Sequence, residues 1–166
     1  YTPPPRETCL LELPAQQSRL LLKDSISPLP LHKTLVLLRC LEEHRHDDFR
    51  DHERIALASA LVSSIGNLDF GPEVGVGKVK RDAVVISAWL ERVRRISTDL
   101  PALRKLAPTP ATIHYGDARE VHRYVPAGSV DAVITSPPYP NEKDYTRTTR
   151  LESVLLGFIR DRKDLS

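Results

Sequence analysis

The sequence Ser136-Pro137-Pro138-Tyr139 is the part of this chain whose residue types are best suited to chemistry. It directly follows the apolar run at 130–135, which reads as a buried strand. Proline has a fixed φ and no N–H to donate, and it keeps the preceding residue out of the helical region, so Ser136 should be extended. The pattern predicts a stiff turn that presents a hydroxyl, a free carbonyl and an aromatic ring to one space. A planar ring with an exocyclic amino group would fit there.

The wider pattern around this turn resembles a known family. Thr135-Ser136-Pro137-Pro138-Tyr139 resembles the catalytic motif of the amino-group DNA methyltransferases, which methylate N4 of cytosine or N6 of adenine. In that family the motif follows the fourth strand of an S-adenosylmethionine-binding sheet, and the strand before it ends in Gly-Asp. Residues 113–119 are similar to that strand and contain Gly116-Asp117, with Gly116 twenty residues before Ser136. With the runs at 141–147 and 151–158, the resemblance covers residues 111–159.

The resemblance implies catalytic roles for Ser136, Pro137, Pro138 and Tyr139, and no metal. The Ser136 side chain and the Pro137 carbonyl would accept the two N–H bonds of the target amine. The nitrogen lone pair, otherwise delocalised into the ring, could then attack the methyl group of S-adenosylmethionine. Tyr139 would stack on the base, which must be flipped out of the duplex. Asp117 would bind the adenine moiety of the cofactor.

The resemblance also implies partners and leaves alternatives open. Double-stranded DNA is the implied substrate, and restriction-system proteins are implied partners. Serine at the first motif position favours N4-cytosine over N6-adenine by family habit, although either amine suits the same acceptors, and RNA stays open as a substrate. The alternative from another class is a non-catalytic nucleic-acid-binding or assembly module derived from a methyltransferase. Residues 136–140 could also be a plain proline-rich turn or a ligand for a peptide-binding module, and Asp117 a simple turn residue.

The hydrophobic pattern predicts the elements that position these residues. Helical spacing predicts helices at 31–43, 49–65, 82–97 and 150–160, and a short capped helix is expected at 98–106. The proline-punctuated residues 1–30 are expected to be extended, with at most one short helix at 16–23. Residues 111–115 and 130–135 read as short strands separated by a helix or turn at 118–124. A strand–helix–strand–helix order is typical of a parallel sheet. We therefore expect an α/β fold, a partial Rossmann-like methyltransferase sheet preceded by a mostly helical region. The expected divisions are a proline-rich lead-in at 1–30, a helical insertion or linker at 31–110 and the methyltransferase unit at 111–166.

The composition limits the class of protein and its cellular compartment. The chain has 166 residues, 40% of them hydrophobic and 28% charged, with a net charge of +2. These values are ordinary for a globular domain, and they permit nucleic-acid binding without the strong positive charge of dedicated binders. No apolar run approaches the ~20 residues that span a bilayer, and the first residues lack the pattern of a signal peptide. The isolated Cys9 and Cys40 indicate a reducing compartment, so we expect a cytoplasmic protein.

Two expected features of a complete enzyme are missing from the sequence. The glycine-rich cofactor motif and the acidic residue after the second strand are not found. Since the chain has no methionine, we expect it to be part of a longer protein, with the first two strands upstream of Tyr1. A permuted order, with the cofactor half downstream, is the alternative. Either arrangement predicts that the isolated chain is inactive or nearly so.

The glycine-containing run at 71–78 and the loop after it offer weaker signals. The run does not fit a phosphate-binding loop, because its first glycine is misplaced and no Ser or Thr follows Lys78. Lys78, Lys80 and Arg81 could approach a DNA backbone, or they could belong to a plain solvated loop.

Two clusters of polar residues are further candidates for a metal site or a substrate contact. The group His44, His46, Asp47, Asp48 and His52 matches no spacing of metal ligands, so a solvated helix junction is the favoured interpretation. Asp144, Tyr145, Arg147 and Arg150 could contact substrate phosphates or order the loop over the base, and a capping and surface-charge role is the equal alternative.

Overall fold

The computed structural model describes residues 9–46, 48–71, 73–104, 109–136 and 145–165. Its α-helices are α1 (Ala15–Ser18), α2 (Pro28–Glu43), α3 (Arg50–Ala60), α4 (Val85–Arg104), α5 (Tyr145–Thr148) and α6 (Arg150–Leu155). A π-helical turn, Leu61–Ile65, continues α3, and 3₁₀ turns lie at Ala118–Arg123 and Arg162–Leu165. Strands β1 (Leu68–Phe70) and β2 (Val74–Val76) pair antiparallel. Within these residues, the helices all fall short of the length and apolar character needed to cross a membrane.

The hydrophobic core lies where α2, α3, α4 and α6 meet. Its buried members are apolar side chains from all four helices and the π-helical turn: Leu37, Leu57, Ala60, Leu61, Ile65, Val85, Leu151, Leu155 and Leu156. The indole N–H of Trp89 on α4 donates to the carbonyl of Glu53 on α3 over 3.1 Å, which fixes the two helices side by side. The apolar periodicity read from the sequence therefore corresponds to real buried faces in α2, α3 and α4.

Asn67 connects three segments of this core. Its side-chain amide donates to the carbonyl of Asp24 at 2.8 Å and to the hydroxyl of Ser27 at 3.1 Å, and its Oδ1 accepts from the backbone N–H of Lys80 at 2.9 Å. Its own backbone N–H donates to Ser25 at 2.7 Å, and its carbonyl accepts from Gly77 at 2.7 Å. Asn67 is 2% exposed. Such a buried, fully bonded amide rigidifies its surroundings, because each lost partner would be left unsatisfied.

Gly66 and Lys80 close the end of the π-helical turn beside Asn67. The Lys80 ammonium donates to the carbonyls of Ser64 at 2.9 Å and Gly66 at 2.6 Å, two groups with no further helical partner. At Gly66, a Cβ would lie 2.6 Å from Cδ2 of Leu151 and 2.8 Å from the carbonyl oxygen of Leu61. Glycine is required here because the chain passes directly under α6.

The segment after α5 is attached to the helical core by polar as well as apolar contacts. Arg54 on α3 donates to the carbonyl of Leu156 at 2.6 Å and pairs with Glu42 at 3.3 Å. Its guanidinium also lies 5.5 Å from the ring centroid of Phe158, a cation–π distance. Leu151, Leu155 and Leu156 therefore pack in the same core as α2, α3 and α4, whereas Val154 and Ile159 form a second buried cluster with Leu20.

Several elements differ from their predicted bounds. The predicted helices at 82–97 and 98–106 form the single helix α4, which continues through Pro101. The run at 70–80, predicted as a loop, contributes to a hairpin, because Asn67 and Gly77 hold its two ends together. The helix predicted at 150–160 ends at Leu155, before Gly157, whose φ of 79° is left-handed.

The two strands predicted at 111–115 and 130–135 are wrong for the structure observed. Both segments are irregular, and their apolar side chains lie in solvent: Ile113 is 95% and Ile134 is 99% exposed. A strand exists only through a ladder with a neighbour, and the described residues provide no neighbouring strand for either segment. The 3₁₀ turn at Ala118–Arg123 agrees with the helix or turn predicted at 118–124.

We predict that Gly66→Ala lowers the free energy of unfolding by about 1–3 kcal/mol, because the new methyl group overlaps Leu151 and the Leu61 carbonyl. Gly75→Ala in β2 is the matched control, since a Cβ there meets nothing within 4 Å. It should change the stability by less than about 0.5 kcal/mol. Urea denaturation of both variants measures the difference, and equal midpoints would contradict the close packing under α6.

We also predict that Asn67→Ala lowers the free energy of unfolding by about 2–4 kcal/mol, because it leaves the buried Ser27 hydroxyl and the part-buried Asp24 carbonyl and Lys80 N–H without their partner. Thr98→Ala, which removes an exposed hydroxyl bonded to the Arg94 carbonyl, should cost far less. The same denaturation experiment compares them. A loss for Asn67→Ala no greater than that for Thr98→Ala would show that the amide is not a structural centre.

Candidate functional site

The predicted catalytic motif lies at the edge of what the structure describes. Ser136 is exposed, in the irregular segment that follows residues 130–135. Pro137, Pro138 and Tyr139 lie outside the described residues, as do residues 140–144. The arrangement of hydroxyl, carbonyl and aromatic ring around one space therefore stays a prediction.

Asp117 caps the 3₁₀ turn at Ala118–Arg123. Its Oδ1 accepts from the backbone N–H of Arg119 at 2.9 Å, which is the bond that a helix N-cap residue makes. The Arg119 guanidinium then reaches back to the same carboxylate, with Nε 3.0 Å from both oxygens and Nη2 2.5 Å from Oδ2. Both carboxylate oxygens are thus occupied by one neighbouring residue.

This arrangement stabilises the ionised form of the carboxylate. The hydrogen bonds from the Arg119 side chain, followed by that from its backbone N–H, hold the pKa of Asp117 below its usual value, and the same contact raises the pKa of Arg119. Asp117 remains a ready acceptor at neutral pH. However, a ligand could use it only by displacing Arg119, whose side chain is 87% exposed and can turn into solvent.

Tyr124 completes this local structure, and sequence reasoning missed it. Its ring lies against Gly116, where a Cβ would come within 2.5 Å of the phenol oxygen. Its ring centroid is 5.2 Å from that of His114 at an angle of 31°. The glycine of Gly116-Asp117 therefore leaves the space in which the Tyr124 ring lies. An aromatic residue eight positions after Gly116 was the available signal.

The structure does not join this region to the helical core through polar contacts. Among the described residues, no hydrogen bond or ion pair links 109–136 to the rest of the chain. Every residue of that segment is exposed except Glu120 and Val125, which are half-buried. Asp117 and Ser136 therefore share an exposed segment, and no described contact brings them together.

The weaker candidates have identifiable structural roles. The Lys80 ammonium is held by the Ser64 and Gly66 carbonyls, so it is not available to a DNA backbone, whereas Lys78 and Arg81 are exposed. In the histidine cluster, His44 bonds the Cys40 carbonyl at 3.0 Å and His46 stacks on Phe49 at 5.3 Å. These contacts are typical of a helix junction. In the part of the chain described, no three metal-ligating side chains are grouped to hold an ion.

The residues of α5 and α6 that the sequence singled out have different positions in the structure. Leu151, predicted as part of the family resemblance, is buried in the core. Arg150 donates to the hydroxyl of Thr146 at 2.8 Å, which orders the turn between α5 and α6. Burial raises the pKa of the Glu152 carboxyl above its usual value. Tyr145 and Arg147 lie on α5, and the structure assigns neither to a substrate.

We predict that Arg119→Ala raises the pKa of Asp117 toward its usual value, because it removes the side-chain hydrogen bonds that favour the carboxylate and leaves only the backbone N–H of residue 119. Because the pKa of Asp117 is lower in the folded state, its contact with Arg119 stabilises the fold at pH values above the unfolded-state pKa. This stabilisation is lost as the pH falls through the folded-state pKa. NMR titration of the carboxyl carbon in both proteins measures the shift. Identical titration curves would contradict the ion pair.

Comparisons with known proteins add no identification. No protein family, no curated protein and no solved structure matches this chain.

Proposed function

We propose that this chain is part of a cytoplasmic, S-adenosylmethionine-dependent DNA methyltransferase that modifies an exocyclic amino group, with N4 of cytosine favoured over N6 of adenine. The observation that carries the proposal is the motif Thr135-Ser136-Pro137-Pro138-Tyr139 after an apolar run, with Gly116-Asp117 twenty residues before its serine. The spacing between these two motifs is what distinguishes it from an isolated proline-rich turn.

The exposure of the apolar residues supports the proposal indirectly. Val133 and Ile134 are consecutive, and they are 81% and 99% exposed. In a strand, consecutive side chains point to opposite faces, so a strand at 130–135 would need apolar cover on both. That requirement is typical of parallel strands inside an α/β sheet. We infer that these residues become strands when the rest of a sheet is present.

The residues present fit the cofactor by their chemistry. An ionised carboxylate at Asp117 suits the amino and hydroxyl groups of the nucleoside part, once Arg119 turns away from it. The bound cofactor would supply an electrophilic methyl group. Asp117 and Ser136 would then lie beyond the carboxyl ends of neighbouring parallel strands, where open sheets bind their ligands.

The protein groups act on the amine rather than on the methyl group. The Ser136 hydroxyl and the Pro137 carbonyl would accept the two N–H bonds and favour a pyramidal nitrogen with an available lone pair. Fixed acceptors of this kind stabilise the transition state more than the ground state. The Tyr139 ring would stack on the flipped base and offset part of the cost of unstacking, with ~1–3 kcal/mol expected for such a contact.

One observation favours the alternative, a non-catalytic nucleic-acid-binding or assembly module. The helical core packs without any contribution from 109–136, and Asp117 is already occupied as a cap. In that case the helical core would bind the nucleic acid or the partner protein, and the Ser-Pro-Pro-Tyr motif would be a non-catalytic remnant of a methyltransferase.

The deciding experiment measures methyl transfer from labelled S-adenosylmethionine to duplex DNA by the full-length polypeptide. Ser136→Ala should lower kcat about 100-fold, because one fixed acceptor is lost. Tyr139→Ala should lower kcat/KM by about tenfold or more, because the base loses its stacking surface. Ser129→Ala is the matched control, since that hydroxyl only bonds the Pro126 carbonyl at 2.8 Å.

The outcomes separate the two functions. Unchanged methylation in both Ser136→Ala and Tyr139→Ala would remove the proposed mechanism. DNA binding without any methylation in the unmodified protein would favour the non-catalytic module. Substrates containing only cytosine or only adenine targets, and a matched RNA, identify the accepted amine.

A further inference from the structure

Helix α4 has an apolar stripe that continues beyond the elements packed on it. In its first half, Val85, Ala88 and Trp89 pack in the core. In its second half, Val93, Ile96 and Leu100 continue the same spacing of three and four residues and line an open groove of about 680 Å³. From Val93 to Arg104 the groove floor is about 17 Å long at 1.5 Å per residue. A stripe with this spacing is the face that a helix uses to pack against another helix.

The opposite wall of the groove comes from the start of α3. It consists of Asp48, Phe49, His52 and Glu53. Phe49 is 52% exposed, an unusual degree for a phenylalanine that borders an apolar floor. Nδ1 of His52 is buried without a hydrogen-bond partner among the described residues. The wall therefore offers apolar surface to an incoming group through the exposed part of Phe49.

The charge of this wall is acidic. Asp48 and Glu53 form no ion pair with any described cation, and Arg104 lies on α4 at the end of the groove floor. Glu53 in the first turn of α3 also complements the helix dipole. Asp48 precedes the helix. The groove thus combines an apolar floor with carboxylates along one side.

We propose that this groove, formed by the second half of α4 and the start of α3, docks an amphipathic helix from a partner polypeptide. The partner helix places apolar residues at spacings of three and four on Val93, Ile96 and Leu100. Lysine or arginine on its flank lies against Asp48 and Glu53. Helix-in-groove recognition uses this combination of apolar anchors and flanking charge. The interaction does not depend on the methyltransferase proposal, because it involves none of residues 109–139.

The test uses two synthetic peptides and fluorescence anisotropy. Both are helical, about 14 residues or ~21 Å long, and have the same leucine face. One carries lysine on its flank and the other carries glutamate. The lysine peptide should bind the chain, and Asp48→Lys combined with Glu53→Lys should weaken it at least about tenfold while creating affinity for the glutamate peptide.

Matched variants separate docking from general charge and fold effects. Asp51→Lys changes the same helical turn but lies outside the groove, so it should leave affinity nearly unchanged. Ile96→Asp should abolish binding, and Leu100→Ser is a second floor variant. Val79→Asp, at an exposed apolar site elsewhere, should have no effect. Circular dichroism verifies the helix content of each variant.

Four results would overturn the proposal: binding of neither peptide, equal binding of both, an Asp51→Lys effect as large as that of the groove variants, or retained affinity in both floor variants. Analytical ultracentrifugation of the chain alone tests whether a second copy of the chain occupies the groove. A dimer that Ile96→Asp dissociates would show that a second copy, and not a partner helix, occupies the groove.

Discussion

The fold depends on one buried residue, because Asn67, which lies just after the π-helical turn, joins the loop before α2 to the β1–β2 hairpin and to Lys80 through five hydrogen bonds. Each of those segments is irregular or short and could not hold its conformation alone. Asp24, which accepts from the amide, has a φ of 62°, a left-handed conformation that is uncommon outside glycine. The side-chain amide of Asn67 therefore stabilises a strained turn that lies shortly before α2.

The same region explains how the segment around α6 is attached to the helices that precede it. Gly66 lets α6 pass within contact of the π-helical turn, and Arg54 ties the end of α6 to α2 and α3. Residues 150–159 are consequently held by helices that precede them by a hundred positions. The segment 109–136, which lies between α4 and α5 in the sequence, is exposed and does not pack in the core. It carries both Asp117 and Ser136, so the proposed chemistry and the stable core occupy different parts of the chain.

This separation has a physical consequence for the proposed enzyme. Acceptors that act on an amine must be fixed before the reaction, since reorganising them during it forfeits their benefit. An exposed segment with few internal bonds does not supply that rigidity. A sheet that pairs residues 111–115 and 130–135 would supply it, and would also cover Ile113 and Ile134. Additional strands would therefore meet two requirements at once: they would fix the acceptors of the proposed enzyme, and they would bury Ile113 and Ile134.

The sequence by itself determined the helices with strong apolar periodicity and the chemical types in the motif. The predicted helices at 31–43 and 49–65 correspond to α2 and to α3 with its π-helical turn, because helical spacing depends on neighbours a few residues away. Only the tertiary structure decided that α4 runs through Pro101, that Asp117 is occupied by Arg119, and that residues 111–115 and 130–135 form no strands. A strand requires a partner distant in sequence, and local pattern cannot say whether that partner is present. The importance of Asn67 was equally hidden, since its five partners come from positions that only folding brings together.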